Sequence, residues 1–176
     1  TTAMKCANPA FANHAIHKHT YQGGYQVVSC YNVLPLGGGA YCLDRLLLPG
    51  MARLATSVDD FLDNILPSAT GELCNYMNER IRFEVEESNF FQSSWLVKDG
   101  LISRERFTGM FGVAGMSECV KELLHLGDER AYGTDPEADE LAEKIMQKIY
   151  DQVNEFDAVY SEVAGGRFTL HAQAGF

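Results

Sequence analysis

Residues 108–124 read Thr108-Gly109-Met110-Phe111-Gly112-Val113-Ala114-Gly115-Met116-Ser117-Glu118-Cys119-Val120-Lys121-Glu122-Leu123-Leu124, or TGMFGVAGMSECVKELL. The first nine residues are an apolar run punctuated by glycines and short enough for a strand, and Ser117 then offers a hydroxyl to cap a following helix. A strand, a tight turn and a helix in that order predict one unit of an α/β fold. Gly109, Gly112 and Gly115 recur every third residue, which in a strand marks close backbone approach; lining a substrate is the alternative reading.

Outward from this stretch the same alternation continues. Tyr41-Cys42-Leu43-Asp44-Arg45-Leu46-Leu47-Leu48, closed by Pro49-Gly50, predicts a strand buried on both faces, as in a parallel, helix-covered sheet. Asp135 followed by Pro136 opens a long helix in which Leu141, Ile145, Ile149, Val153, Phe156 and Tyr160 recur every three or four residues. Gly165-Gly166 is expected to end it, before a strand over residues 167–171. Ser57 caps another helix with Asp59 and Asp60 in its first turn, and Pro67 is expected to divide that helix from a second piece over residues 68–87. Residues 90–101 fit neither template and end in the turn Lys98-Asp99-Gly100. Nearer the N-terminus, residues 25–29 are the best strand candidate and residues 35–40 form a turn.

The 176 residues, 46% of them hydrophobic, suit one domain with a real core. A net charge of -10, with 24 acidic against 14 basic residues, argues against a nucleic-acid-binding surface, which needs clustered cations. No apolar run approaches the roughly 18 residues a membrane span requires, and no leader pattern is present. Five scattered cysteines, at 6, 30, 42, 74 and 119, form no C-x-x-C pair and fit reduced thiols in the cytoplasm. Because the chain opens on Thr1-Thr2-Ala3 and stops just after an expected strand, it reads as a segment of a longer polypeptide.

Three clusters carry candidate chemistry. His14, His17 and His19 give H-x-x-H-x-H, which reads first as histidines hydrogen-bonding near a cleft and second as a divalent metal site. The metal reading would make the chain a metal-dependent hydrolase. Gly37-Gly38-Gly39 could let backbone N–H groups converge on a phosphate, but no G-x-G-x-x-G and no following Lys-Ser or Lys-Thr accompany it. Cys30, in VVSCYNVLPLGGGAY over residues 27–41, ends a strand candidate. On residue mechanics alone it is a small buried thiol, since a thiolate nucleophile would need a basic neighbour and only the three histidines are near in sequence.

The order of Cys30, Gly37-Gly38-Gly39, the run Leu43 to Pro49, capped helices and Gly109-Met110-Phe111-Gly112-Val113-Ala114-Gly115-Met116-Ser117-Glu118 resembles the C-terminal half of glycyl radical enzymes. The likeness is greatest to the YjjI-type family and more distant to anaerobic ribonucleotide reductases. It implies part of a ten-stranded α/β barrel in which a cysteine sits at the tip of a finger loop. A glycyl radical on a second loop oxidises that cysteine to a thiyl, which abstracts hydrogen from a small molecule. The matching position is Cys30, with Cys42 second. Asn32, His14 and His19 are then candidates to line the substrate pocket, with Gly37, Gly38 and Gly39 letting the loop thread the barrel. Hydrogen-atom transfer needs an S–H held near a substrate C–H in a dry cavity, not a depressed pKa. The resemblance also implies a radical S-adenosylmethionine activating enzyme as partner, a homodimer at full length, anaerobic metabolism, and no metal in the enzyme itself. One element is missing: the family's radical glycine sits in a motif similar to R-V-x-G-Y, and Gly175 before Phe176 matches it only superficially. The chain is accordingly expected to be one segment of a larger barrel domain, without the N-terminal half and the glycyl loop, and inactive by itself. A non-catalytic α/β interaction module derived from the same fold is the rival reading.

Overall fold

The glycine-punctuated run forms the middle strand of a three-stranded parallel sheet, in a computed structural model that describes residues 13–21, 24–28, 32–127, 129–130 and 133–172. In chain order the elements begin with α1 (His14–Thr20), β1 (Tyr25–Val27), β2 (Val33–Pro35), β3 (Gly39–Leu47), α2 (Leu48–Ala52) and α3 (Val58–Asp60). A π-helical turn (Phe61–Ile65) then leads into α4 (Leu66–Glu86), followed by α5 (Phe90–Ser93) and α6 (Trp95–Lys98). A 3-10 turn (Arg104–Arg106) precedes β4 (Phe107–Ala114), α7 (Met116–Leu124) and α8 (Pro136–Glu155), and another (Glu162–Ala164) precedes β5 (Thr169–Ala172). The sheet order is β3-β4-β5 with both pairings parallel, so each connection must cross over through helices, as the alternation of elements predicts. β1 and β2 stand apart as an antiparallel pair. Among the described residues there are three parallel strands rather than a ten-stranded barrel.

The core lies between one face of this sheet and helices α4, α7 and α8. Cys42, Leu46 and Phe111 from the strands meet Met77 and Ile81 of α4, Val120 of α7, and Ile145, Ile149 and Val153 of α8, all buried. Each large side chain of this kind contributes about 1.5–3 kcal/mol on leaving water. A register shift between Ala40 and Leu43 puts Tyr41 and Cys42 both in the interior. The glycines of β4 permit close approach, as expected: a Cβ at Gly109 would lie 2.6 Å from the Phe168 ring, and one at Gly115, where φ is +80°, would lie 2.5 Å from Pro49.

Four local expectations are corrected. Gly115, not Ser117, is the residue from which α7 starts, because a left-handed turn reverses the chain one step earlier. Pro67 does not divide its helix: the π-helical turn before it is closed by the Leu66 N–H donating to the Phe61 carbonyl, so the ring falls at the start of α4, where no N–H is needed. The Pro67 carbonyl accepts from Gln152 Nε2 at 2.8 Å, which ties the start of α4 to α8. The last long helix stops at Glu155, ahead of Gly165-Gly166, because Phe156 turns extended and stacks on Phe168 at 5.5 Å. β3 is buried on one face only, with Arg45 and Leu47 exposed. The three-histidine segment, to which the sequence pattern assigned no element, is helical and capped by Asn13, whose side chain accepts from the Ile16 N–H at 3.3 Å. No helix among the described residues is long and apolar enough to cross a membrane.

Candidate functional site

Valine, tyrosine and glutamine in β1 face valine, leucine and proline in β2, in the register Tyr25 to Pro35, Gln26 to Leu34 and Val27 to Val33. The Val28 N–H donates to the Asn32 carbonyl at 2.9 Å, so the ladder closes on both sides of residues 29–31. Ser29, Cys30 and Tyr31 lie outside the described residues. The flanking ladder is that of a narrow two-stranded finger. A two-stranded hairpin of three pairs is marginal in water by itself, so its base must be held.

That base is held by the glycine turn and by residues 101–106. Gly37 takes φ +72°, its carbonyl accepts from the Ser103 N–H at 2.9 Å, and the Leu36 N–H donates to the Gly24 carbonyl at 3.1 Å. Arg106 donates from Nε to the Leu36 carbonyl and from Nη2 to the Gly24 carbonyl at 3.3 Å. A Cβ at Gly38 would lie 1.8 Å from the Arg106 carbonyl oxygen, so only glycine fits. Gly39 lies against the Phe107 ring, at 3.1 Å from an added Cβ. The three glycines thus form a close backbone contact that fixes the finger to the start of β3. Arg106 carries this anchor, and nothing in the pattern R-E-R-F singled it out.

Tyr25 gathers two of the three histidines. Its hydroxyl is 2.8 Å from His14 Nδ1, and the His17 ring sits 5.3 Å from its ring centroid. His19 is exposed and joins neither contact. Among the described residues no group of three or more His, Cys, Asp or Glu could hold a metal ion, so the hydrolase alternative finds no support here. Asn32 is half-buried and its side-chain Oδ1 is shut from water with no hydrogen-bond partner among the described residues, an uncommon state for a buried amide. The structure therefore joins His14 to the finger strand and puts Asn32 at the finger's closing pair, and it brings His19 to neither.

The remaining described thiols are poor candidates for ionic chemistry. Burial pushes Cys42 up to about 12, helped by its hydrogen bond with Asp44, while burial alone pushes Cys74 up to about 11 and Cys119 to about 12. Cys42 lies within β3 against the helices, and Asp44 beside it pairs with Arg80 at 2.9 Å. Cys6 and Gly175 lie outside the described residues. Beyond the finger, Tyr21 is buried at the end of α1 and its side chain hydrogen-bonds Thr169 of β5, tying the finger's approach to the sheet. Composition gave no cue to this contact, because a lone tyrosine after a helix is ordinary.

Comparison with known proteins gives a consistent picture. A family model described as glycyl radical enzyme YjjI-like matches residues 1–176. An uncharacterized protein of Haemophilus influenzae is 42% identical over 170 residues, which is 96% of this chain and 33% of the relative. The uncharacterized protein YjjI of Escherichia coli K12 is 38% identical over 173 residues, 97% of this chain and 33% of the relative. The chain spans about a third of the length of these curated relatives. In fold it is similar to an anaerobic ribonucleotide reductase, at TM-score 0.61 and 17% identity over 85% of this chain and 23% of that one. The anaerobic ribonucleotide reductase of Thermotoga maritima in complex with dATP and CTP gives TM-score 0.59 at 17% identity, over 76% of this chain and 22% of that one.

Proposed function

This chain belongs to the YjjI-like glycyl radical enzyme family, and from that membership we propose that it is the finger-bearing segment of a barrel enzyme in which Cys30 is the hydrogen-abstracting thiyl. The single observation that carries the reading is the antiparallel finger, whose strands pair on both sides of Cys30 and whose base is clamped by Arg106 and Gly38. A clamped finger suits a radical relay, because hydrogen-atom transfer demands that sulfur and carbon meet within van der Waals reach in a dry, fixed geometry.

The atoms balance within the segment's own chemistry. The Cys30 sulfur radical takes a hydrogen atom from a substrate C–H, forming S–H and leaving the unpaired electron on carbon. After the bond change at the substrate, S–H returns a hydrogen atom to the product carbon and the sulfur radical is regenerated. The oxidising equivalent comes from a glycyl radical held elsewhere in the full enzyme, since none of the 176 residues forms an R-V-x-G-Y-like motif. In this reading the three parallel strands are part of the barrel wall, His14 and Asn32 border the substrate, and His19 is a more remote member. The whole protein is then a homodimer acting in the anaerobic cytoplasm, with a radical S-adenosylmethionine enzyme as its activating partner.

The test uses the full-length polypeptide that carries this chain, incubated anaerobically with the activating enzyme. A carbon-centred radical should appear by electron paramagnetic resonance. Turnover should be read as product formed from an anaerobic metabolite extract. Cys30→Ala should keep the radical signal and abolish turnover, whereas Cys42→Ala should keep both. Turnover that survives Cys30→Ala would overturn the assignment.

A further inference from the structure

Strand partners in register share a face, so the side of the sheet turned away from the helices carries the rows Leu43, Met110, Thr169 and Arg45, Gly112, His171. Gly112 leaves a gap in the second row, and the stem of Arg45 occupies it: a Cβ at Gly112 would lie 2.6 Å from Arg45 Cγ. Arg45 therefore crosses the middle strand toward His171. His171 is buried, and burial first and the Arg45 charge second hold its imidazole below the ordinary histidine range, leaving it neutral near pH 7. A neutral imidazole keeps one N–H donor and one acceptor nitrogen. Arg45 makes no hydrogen bond or ion pair with another described residue, although the chain carries ten excess negative charges. The adjacent carboxylate, Asp44, belongs to the opposite face and is taken by Arg80. Buried Met110 and the Tyr21 to Thr169 hydrogen bond wall the neighbouring row.

We propose that Arg45, laid across Gly112 beside His171, is the binding subsite for the carboxylate of a small organic acid. The guanidinium fork supplies two parallel N–H donors to the two carboxylate oxygens, and the imidazole N–H supplies a third. A single cation matches a monoanion. Phosphate would call for a second cation or a nest of backbone N–H groups, and these two rows hold neither. The inference rests on the glycyl radical reading and names its substrate class. It places the acid group on the sheet face away from the helices and leaves the reacting C–H to the finger.

The experiment is equilibrium binding by ligand-observed NMR to the full-length polypeptide without activation, with propionate, inorganic phosphate and propane-1,2-diol as probes. Propionate should bind, and it should bind more tightly than the other two. Arg45→Gln should weaken propionate about tenfold or more, the loss of one charge-assisted bidentate contact. Gly112→Ala, which displaces the Arg45 stem without removing its charge, should weaken it as well. Arg45→Lys keeps charge without the fork and should lose part of the affinity, which keeps the test open if the glutamine variant misfolds by circular dichroism. Propionate binding unchanged in Arg45→Gln, or phosphate or the diol bound as tightly as propionate, would overturn the subsite. Because binding is read without activation, turnover in Cys30→Ala and propionate binding in Arg45→Gln are separate readouts, so a failed radical assignment and a failed subsite give different results.

Discussion

The two faces of the β3-β4-β5 sheet are built from alternate residues of the same strands, yet they differ in kind. Toward the helices stand Leu46, Phe111 and Leu170, joined to the apolar core of α4, α7 and α8. Away from the helices stand Arg45, His171 and Thr169, with Met110 and Tyr21 buried but outside that core. The pleat sends successive side chains to opposite sides, so a single strand can hold the fold with one set and present chemistry with the other. Under the proposed subsite, stability and binding are separable by parity along the chain.

Substitutions at adjacent positions can break that comparison most directly. Phe111→Ala should cost about 3–5 kcal/mol by urea denaturation, since it empties a closed core. Met110→Ala on the other face should fall near about 2 kcal/mol, the low end for a buried methionine, because its neighbours can settle into the space. Equal losses at the two positions would erase the asymmetry. Gly38→Ala should come next, costing roughly 1–3 kcal/mol as an overpacked contact, with faster hydrogen exchange at the Leu36 and Ser103 amides that anchor the finger. Unchanged exchange there would show that the clamp is not what orders the finger.

A smaller effect should appear with pH. The folded pKa of His171 lies below the ordinary 6.5, so the unfolded chain binds its proton first. The stability this contributes is present above pH 6.5 and is lost as pH falls from there through the lower folded value. His171→Asn should flatten that part of a stability profile, and a profile identical to that of the parent would contradict the burial argument. The smallest expected change is in thiol chemistry. Cys42, Cys74 and Cys119 should resist iodoacetamide at pH 8 in the folded protein, as read by mass spectrometry, because burial keeps them as thiols.

Much of the fold could be read from local pattern. The run 108–116 announced the middle strand, Asp135-Pro136 announced α8, and Ser57 with Asp59 and Asp60 announced α3, because capping and periodicity depend on neighbours a few residues away. The misreadings have different causes. Gly115 replaced Ser117 as the start of α7 through a left-handed turn and Pro67 sat behind a π-turn closed by Leu66 and Phe61, both local geometries that residue type alone does not announce, whereas Phe156 left its helix for a ring across from it, Phe168. The site divides the same way. Cys30 and the three glycines were visible as residues of unusual type, and the family resemblance gave them a role. Arg106, Tyr21 and the Arg45 to His171 row are ordinary residues made notable only by what lies across from them.

By itself, then, the sequence determined the α/β class, the family, and the succession of strands and helices, since each rests on short-range pattern or on matched motifs. Only the tertiary structure decided that Gly38 clamps the finger through Arg106 and that the missing side chain of Gly112 lets Arg45 reach toward His171. The reason is physical. A strand's own residues fix which side chains alternate, but register with its neighbours fixes which of them meet, and no spacing along one strand encodes the residue on the next.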